Sequence, residues 1–145
     1  MHDWNRRTLL IDTNVVLDLL VDNRPQHAEA MRVAELCNGG GDLGLIAPMT
    51  LKDAYYIIAR RESEAAARAG MRLAMGLFVI APLGQEECDR SLHSDEPDFE
   101  DGLIRACAEL NGVDFILTRD TGAFRTSPVK ALTCAEYLEL VGEAV

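Results

Sequence analysis

The sequence lacks the features that mark secreted, membrane-spanning and metal-thiolate proteins. Its four cysteines are scattered without a Cys-x-x-Cys pair, so neither a zinc site nor a disulfide framework is predicted and reduced thiols are expected. The first residues lack the basic-then-apolar layout of a signal peptide. No apolar run approaches the roughly 18 residues that a membrane-spanning helix needs. Together these absences predict a cytoplasmic protein with no membrane attachment.

Positive charge is also scarce. The chain has 14 Lys and Arg against 24 Asp and Glu, a net charge of −10. Such a protein is not expected to adhere broadly to nucleic acid. A nucleic-acid enzyme remains possible, because acids that hold metal ions reverse the local field. None of the three histidines, His2, His27 and His93, follows a predicted strand, so surface positions are expected for them.

Apolar patterns alternate between strands and helices along the 145 residues. Strands are predicted at 8–11, 43–46, 78–80, 113–117 and 129–132. Helices are predicted directly after Asp12, from Pro25 to about Cys37, from Met49 or Thr50, and over 62–75, 85–93, 99–110 and 133–143. This alternation predicts an α/β fold: one domain, residues 1–145, built as a three-layer αβα sandwich around a mostly parallel sheet of four or five strands.

The first predicted strand ends at an acid. Residues 8–11 are apolar or β-branched, and Val15, Val16 and Leu19 then recur at helical spacing. Asp12 is thereby placed at the carboxyl end of a strand, where open α/β sheets bind ligands. A helix cap explains an acid at this position equally well. The choice depends on whether other acids converge on the same edge.

Three further places in the chain are predicted to bring acidic residues to that edge. Asp120 follows the fourth strand, Asp98 and Asp101 open the helix before it, and Asp53 lies in the first turn of the helix after the second strand. If the chain winds first one way and then the other, strands one and four flank the reversal point. Carboxylates gathered in one cleft repel each other unless a cation neutralises them. Oxygen-only ligation suits Mg²⁺ or Mn²⁺.

Each of these acids also fits a structural role. Asp98 and Asp101 have capping-box spacing, Asp53 is compatible with a solvated helix charge, and Asp120 before Gly122 is compatible with an Asx-turn. The joint placement of four acids around one edge is what favours a metal site.

Three segments carry a family resemblance. In chain order they are Leu-Leu-Ile-Asp-Thr-Asn-Val-Val-Leu-Asp ending at Asp18, Asp-Phe-Glu-Asp-Gly-Leu-Ile-Arg-Ala-Cys-Ala beginning at Asp98, and Asp-Phe-Ile-Leu-Thr-Arg-Asp ending at Asp120. The chain resembles PIN domains over essentially its whole length, a family that includes the VapC-type toxin ribonucleases of bacterial toxin–antitoxin pairs. The resemblance implies a PIN-like fold and a metal-dependent endoribonuclease that hydrolyses RNA phosphodiester bonds through a carboxylate-held Mg²⁺ or Mn²⁺. A homodimer and an antitoxin partner are further implications.

The resemblance also implies roles for individual residues. Metal ligands, direct or through water, are implied at Asp12, Asp101 and Asp120. Asp53 is implied to orient a metal-bound water, although the family commonly has Glu there, which is longer by one methylene. Supporting hydroxyl, amide or outer acid groups are implied at four positions: Thr13, Asn14, Thr118 and Asp98, with capping the favoured role of the last.

Binding a phosphate backbone requires local positive charge. Arg119, beside the predicted site, is expected to contact substrate phosphate, and Lys52 is a second candidate. Tyr56 is a candidate for stacking a base, whereas Tyr55 is expected to pack in the core. A stripe of arginines follows the predicted helices: Arg61, Arg68 and Arg72, with Arg60 adjacent. The favoured interpretation is a solvated helix face whose arginines pair with Glu62 and Glu64.

Other functions fit less well. A signalling receiver needs a phosphoacceptor Asp after its third strand, where this chain has Ala81-Pro82. A haloacid-dehalogenase-like phosphatase needs Asp-x-Asp after the first strand, and Asn14 takes the second place. A catalytically silent PIN domain that binds RNA or protein stays open, because Asp53 replaces the usual Glu.

Overall fold

Five parallel strands form the centre of the molecule. The structure is a computed structural model and describes residues 6–145; residues 1–5, with His2, lie outside the described residues. The sheet has the order β3-β2-β1-β4-β5, and each neighbouring pair is parallel. The strands are β1 (Arg7–Ile11), β2 (Asp42–Ile46), β3 (Val79–Ile80), β4 (Phe115–Leu117) and β5 (Lys130–Leu132). The predicted sheet is therefore confirmed, with five strands.

Helices connect the strands and cover both faces of the sheet. They are α1 (Thr13–Leu20), α2 (His27–Asn38), α3 (Pro48–Arg61), α4 (Glu64–Leu77), α5 (Gln85–Leu92), α6 (Phe99–Leu110) and α7 (Cys134–Val141), with a short 3₁₀ helix at Thr121–Phe124. Within residues 6–145, no helix is both long and apolar enough to cross a membrane.

Alternating side chains of the central strand divide the core into two clusters. Leu9 and Ile11 pack into one cluster with α1, α2, α4 and α7, and this cluster also contains the fully buried Tyr137. Leu10 points to the opposite face and packs with Ile104 of α6. Because both faces of β1 are buried, the strand is apolar throughout rather than alternating. This arrangement confirms the three-layer αβα architecture.

The chain reverses its winding direction between β1 and β4. It passes from β1 outward through β2 to β3, and then returns to place β4 on the other side of β1. Ile11 and Leu117, the last residues of the two strands, are paired in register. The residues that follow them, Asp12 and Thr118, consequently lie side by side at the crevice where such sheets bind ligands.

Several predicted boundaries differ from the observed ones by one or two residues, and two of these differences have a visible local cause. Pro25 lies in a turn rather than in the first turn of α2, which begins at His27 after the His27 amide bonds to the Arg24 carbonyl at 3.0 Å. Strand β4 begins at Phe115 rather than at 113. The Asp114 carboxylate accepts the Thr8 amide proton at 2.7 Å, so a side chain replaces the backbone partner there.

Close packing of α6 on α5 positions the residues that open α6. Gly102 is buried, and a Cβ at this position would lie 3.1 Å from the Cβ of Ser91 on α5. The Ser91 hydroxyl donates to the Phe99 carbonyl at 2.9 Å. Farther along α6, Arg105 pairs with Asp95 at 2.7 Å and ties the α5–α6 connection to the helix. The first turn of α6 is thus fixed relative to the sheet.

The cysteines are free thiols. Cys37, Cys107 and Cys134 are buried in helices as small apolar residues would be, and Cys88 is exposed. Burial raises the pKa of the Cys107 thiol to about 11, so it stays protonated at neutral pH. The expectation of reduced, structural cysteines agrees with this arrangement.

Candidate metal centre and adjoining cleft

Asp12 both caps α1 and faces the crevice. Its Oδ1 accepts the Thr13 amide proton at 2.9 Å, and its Oδ2 accepts the Thr118 hydroxyl proton at 2.9 Å. Its own amide donates to the Leu117 carbonyl at 2.9 Å, which joins the end of β1 to the end of β4. The sequence left two roles open for Asp12, a helix cap and a metal ligand. The structure shows the cap, and each carboxylate oxygen retains a lone pair for another partner.

Thr118 links the acids that follow β1 and β4. It is fully buried, and its Oγ1 donates to Asp12 and accepts the Asp120 amide proton at 3.1 Å. Thr13 contributes its backbone amide to Asp12, and no hydrogen bond from the Thr13 hydroxyl is found within residues 6–145. Asn14 is exposed and lines a cleft beside the crevice. Thr118 is thus the side chain that orients the Asp12 carboxylate.

Asp101 lies in the first turn of α6. The Asp98 carboxylate caps this helix by accepting the Asp101 amide proton at 3.1 Å, as its spacing predicted. The pKa of Asp101 is raised to about 6, by burial first and then by the neighbouring charges of Asp98, Asp12, Asp120 and Glu96 in that order. Asp101 therefore shares one electrostatic environment with the acids at the strand ends.

Asp12 shows the same effect from the other side of the crevice. Burial is the largest cause that raises its pKa, and the charges of Asp120 and Asp53 add to it. The hydrogen bonds from Thr13 and Thr118 oppose the shift. The charge of Asp120 raises the pKa values of both Asp12 and Asp101, so these three acids interact electrostatically. Asp53 belongs to the same group because its charge raises the pKa of Asp12.

This donor set fits a hydrated hard cation. Within residues 6–145, no three Asp, Glu, His or Cys side chains are already gathered closely enough to enclose an ion. Mg²⁺ is commonly held by one or two carboxylates together with several waters, so a loose set of acids suits it. A cation would also relieve the repulsion that raises the pKa values of Asp12 and Asp101. Carboxylate oxygens are the ligands that Mg²⁺ and Mn²⁺ prefer.

Arg119, which is predicted to contact substrate, is held by polar contacts with α1 and the turn that follows it. Its guanidinium donates to both carboxylate oxygens of Asp18, at 3.0 and 2.9 Å, and to Gln26 at 2.7 Å. Asp18 is only 2% exposed. Asp18 was not singled out in the sequence, where it looks like one more polar position of α1.

Lys52, the other predicted substrate contact, lies beside Asp53. Its Nζ is 2.7 Å from Asp53 Oδ1, and this pair is partly exposed to solvent. A solvent-exposed ion pair between adjacent residues is weak. Lys52 therefore contacts the predicted water-orienting acid, and its side chain stays at the rim of the site.

A cleft of about 680 Å³ adjoins the acids, and sequence reasoning missed its basic end. Its polar lining includes Thr13, Asn14, Asp53, Tyr56, Arg60 and Arg61. The predicted pairing of the arginine stripe is confirmed for Arg68, which binds Glu64 at 3.1 Å. In contrast, Arg60 and Arg61 form no ion pair within residues 6–145. The i, i+3, i+7 spacing of Asp53, Tyr56 and Arg60 was the available signal.

The two histidines within residues 6–145, His27 and His93, take no part in the site. His93 is exposed, as expected. The expected surface position is wrong for His27, which is partly buried and whose Nδ1 lies 2.8 Å from the Asp18 carbonyl oxygen. Neither residue lines the crevice or the cleft beside it.

Comparisons with known proteins agree with this fold. A search of curated proteins by sequence gave no match. Among solved structures, VapC20 of Mycobacterium tuberculosis, titled a sarcin-ricin loop cleaving toxin, is similar with a TM-score of 0.66 and 15% identity over 81% of this chain and 94% of that one. A toxin–antitoxin complex from Klebsiella pneumoniae is similar with a TM-score of 0.66 and 24% identity, over 87% of this chain and 97% of that one. VapBC2 from Rickettsia felis, bound to a promoter DNA fragment, is similar with a TM-score of 0.67 and 11% identity, over 87% of this chain and 98% of that one.

The sequence itself decides the family. The family model described as PIN domain matches residues 8–122, most of the chain and all four acids of the crevice. The solved structures share the same fold over nearly their whole length. The chain therefore belongs to the PIN domain family.

Proposed function

We propose that this protein is a metal-dependent endoribonuclease whose site is the crevice at the ends of β1 and β4. Asp12, Asp101 and Asp120 would hold Mg²⁺ or Mn²⁺, directly or through water. The observation that supports this most is the electrostatic contact among these carboxylates: after burial, which is the largest cause, the charge of Asp120 raises the pKa values of both Asp12 and Asp101. Structural acids paired with arginines would show the opposite shift.

The residues of the crevice divide the work of hydrolysis. Thr118 and the Thr13 amide hold the Asp12 carboxylate in one orientation. Asp53 accepts a proton from the attacking water and aligns it, with a reach shorter than that of Glu. When bound, Mg²⁺ or Mn²⁺ lowers the pKa of a water molecule and stabilises the charge on the scissile phosphate. No His or Ser nucleophile is then required.

The solved structures support a more specific biological role. Several of them are VapC toxins or VapBC complexes, and one is titled as cleaving the sarcin-ricin loop. By this likeness the protein is proposed to be the toxin of a toxin–antitoxin pair, active on RNA in the cytoplasm of a bacterium. It would form a homodimer and bind an antitoxin protein. A gene for a small DNA-binding antitoxin directly beside this one would support the pairing.

Cleavage of single-stranded RNA in the presence of Mn²⁺ or Mg²⁺ tests the activity. Cleavage is expected with either ion, complete loss in excess EDTA, and recovery when Mn²⁺ is restored. Cleavage that persists in EDTA would contradict the metal site.

The second candidate is a catalytically silent PIN domain that binds RNA. The shorter Asp53 side chain and its ion pair with Lys52 favour it. RNA binding without cleavage under every metal condition, together with no measurable Mn²⁺ binding, would establish this alternative.

Acidification is expected to weaken Mn²⁺ binding as the pH falls through about 6. The folded pKa of Asp101 is about 6, raised from 3.8, and a protonated carboxyl cannot serve as a ligand. Between pH 7.5 and 5.5 the affinity should fall about fourfold from this group alone. Titration calorimetry at the two pH values measures the change, and an affinity independent of pH would contradict the role of Asp101.

The same shift makes the metal-free protein less stable as the pH rises. Because the folded-state pKa of Asp101 is raised, the stabilisation from this carboxyl is fully present below about pH 4. That stabilisation is lost as the pH rises through about 6. Bound Mn²⁺ should remove this loss, since it favours the ionised carboxylate.

A further inference from the structure

We propose that the cleft-facing side of α3, formed by Tyr56, Arg60 and Arg61, binds the RNA strand beyond the scissile phosphate. Tyr56 stacks on a base, and the two arginines contact backbone phosphates. This surface is called the α3 platform below. The inference rests on the proposed ribonuclease function, because it assigns the binding surface of that same site.

The α3 platform begins at the acid crevice and leads away from it. Asp53, Tyr56, Ile57 and Arg60 follow i, i+3, i+4, i+7 spacing, so they share one face of the helix, and all of them line the cleft of about 680 Å³. Arg60 lies seven residues beyond Asp53, which is about 10 Å along the helix axis. That length exceeds one nucleotide step, since duplex nucleotides rise by about 3.4 Å per strand. A strand held at the crevice therefore continues along this face.

Tyr56 is an exposed aromatic ring with a fixed support. It is 62% exposed, although large aromatic side chains usually bury most of their surface. Its ring meets that of Tyr55 in a T-shaped contact, with centroids 5.6 Å apart. Tyr55 in turn donates to Glu64 at 2.8 Å, which anchors the pair to α4. An exposed and supported ring beside a polar cleft is suited to stacking on an unpaired base.

In the part of the chain that the structure describes, Arg60 and Arg61 supply positive charge without an acidic partner, whereas Arg24, the third arginine that lines the cleft, is paired with Asp18 at 2.8 Å. Within residues 6–145 both guanidinium groups are without an ion pair, whereas Arg68 on the next helix is paired with Glu64. Both are exposed at the carboxyl end of α3. In a protein of net charge −10, they are placed to offset the repulsion between the acid crevice and an approaching phosphate backbone.

The composition of the cleft favours RNA over a peptide. Acidic, hydroxyl and amide groups line the cleft together with arginines and an aromatic ring. A phosphodiester at the crevice has its next phosphates and bases where the arginines and Tyr56 lie. An acidic peptide would use the arginines without requiring the ring.

RNA binding in EDTA tests the platform separately from cleavage. The probe is an end-labelled single-stranded RNA, followed by fluorescence anisotropy over a series of salt concentrations. Arg60→Ala and Arg61→Ala should each weaken binding and reduce the slope of log K against log salt by about 0.7. Tyr56→Ala should raise Kd about tenfold with an unchanged slope, and Tyr56→Phe should bind like wild type. Arg72→Ala is the matched control, an exposed arginine of α4 outside the cleft, and should leave Kd unchanged.

The outcomes separate this proposal from the proposed function. Wild type that binds and cleaves RNA, with the three alanine variants of the platform binding like wild type, overturns the platform alone. Equal weakening by Arg72→Ala also overturns it, because the effect would then be general charge. If Arg60→Ala and Arg61→Ala weaken RNA binding but Tyr56→Ala does not, base stacking is overturned and an acidic peptide fits the surface better. The predicted pattern without any cleavage supports the platform and overturns the nuclease. Wild type that binds no RNA in EDTA overturns the platform, and the cleavage assay with Mn²⁺ then decides the nuclease by itself.

Discussion

Asp12→Asn is expected to lower the rate of RNA cleavage by on the order of 10³-fold. Loss of one ligand charge removes several kcal/mol of transition-state stabilisation by the metal, and each 1.36 kcal/mol is tenfold in rate. Asn keeps the shape of the side chain and is as good a helix cap as Asp, so the Thr13 amide keeps its partner and α1 stays capped. The rate should be measured in single-turnover assays with saturating Mn²⁺.

Asp114→Asn provides the control for charge and fold. Asp114 precedes β4 at the opposite edge of the sheet, where its Oδ2 accepts the Thr8 amide proton at 2.7 Å. An amide oxygen can accept the same bond, so cleavage should remain at the wild-type rate. An Asp12→Asn variant that cleaves as fast as Asp114→Asn would contradict the metal site.

Thermal unfolding of Asp101→Asn separates a ligand from a structural acid. Because neighbouring carboxylates and burial raise the pKa of Asp101, its charge is unfavourable in the metal-free fold at pH 7. The metal-free variant should therefore unfold at the same temperature as wild type or higher, while the stabilisation by added Mn²⁺ is lost. A variant that is less stable without metal would indicate a structural role.

The fold was predictable because its signals are local and agree with one another. Helix α6 runs from Phe99 to Leu110 as the sequence predicted. Asp98 caps one end, and an Asn-Gly step follows the other. Apolar runs ending in an acid located the ends of β1 and β4. The reversal of winding between them was a supposition in the sequence analysis, and the strand order shows it. The positions of the acids at this edge of the sheet could therefore be predicted from the sequence alone.

The arginines could not be placed in the same way. Which carboxylate an arginine contacts depends on packing between elements distant in sequence, and Arg119 pairs with Asp18, 101 residues away. The sequence around Arg119 contains an acid nearer by, Asp120, which suggested a position facing the crevice. Arg60 was grouped with a paired stripe because helical spacing alone does not show which side of α3 borders the cleft.

Arg119→Ala is expected to reduce the free energy of unfolding by about 2–3 kcal/mol. Asp18 is 2% exposed and accepts from Arg24 at 2.8 Å as well as from Arg119. Breaking a buried ion pair leaves an uncompensated charge, which costs about 3–5 kcal/mol. The cost is lower here because Arg24 remains and Arg119 is itself 35% exposed. Arg119→Lys should not restore the stability, since an ammonium cannot reproduce the two-pronged contact.

Urea denaturation of the metal-free protein measures this effect, with Arg125→Ala as the control. Arg125 is exposed beside the 3₁₀ helix and has no ion pair within residues 6–145, so its loss should change the free energy of unfolding by less than about 0.5 kcal/mol. The same variants decide between the two roles of Arg119. If it supports the fold, Arg119→Ala is less stable and keeps the wild-type salt slope of RNA binding. If it contacts phosphate, stability is retained and the slope falls by about 0.7.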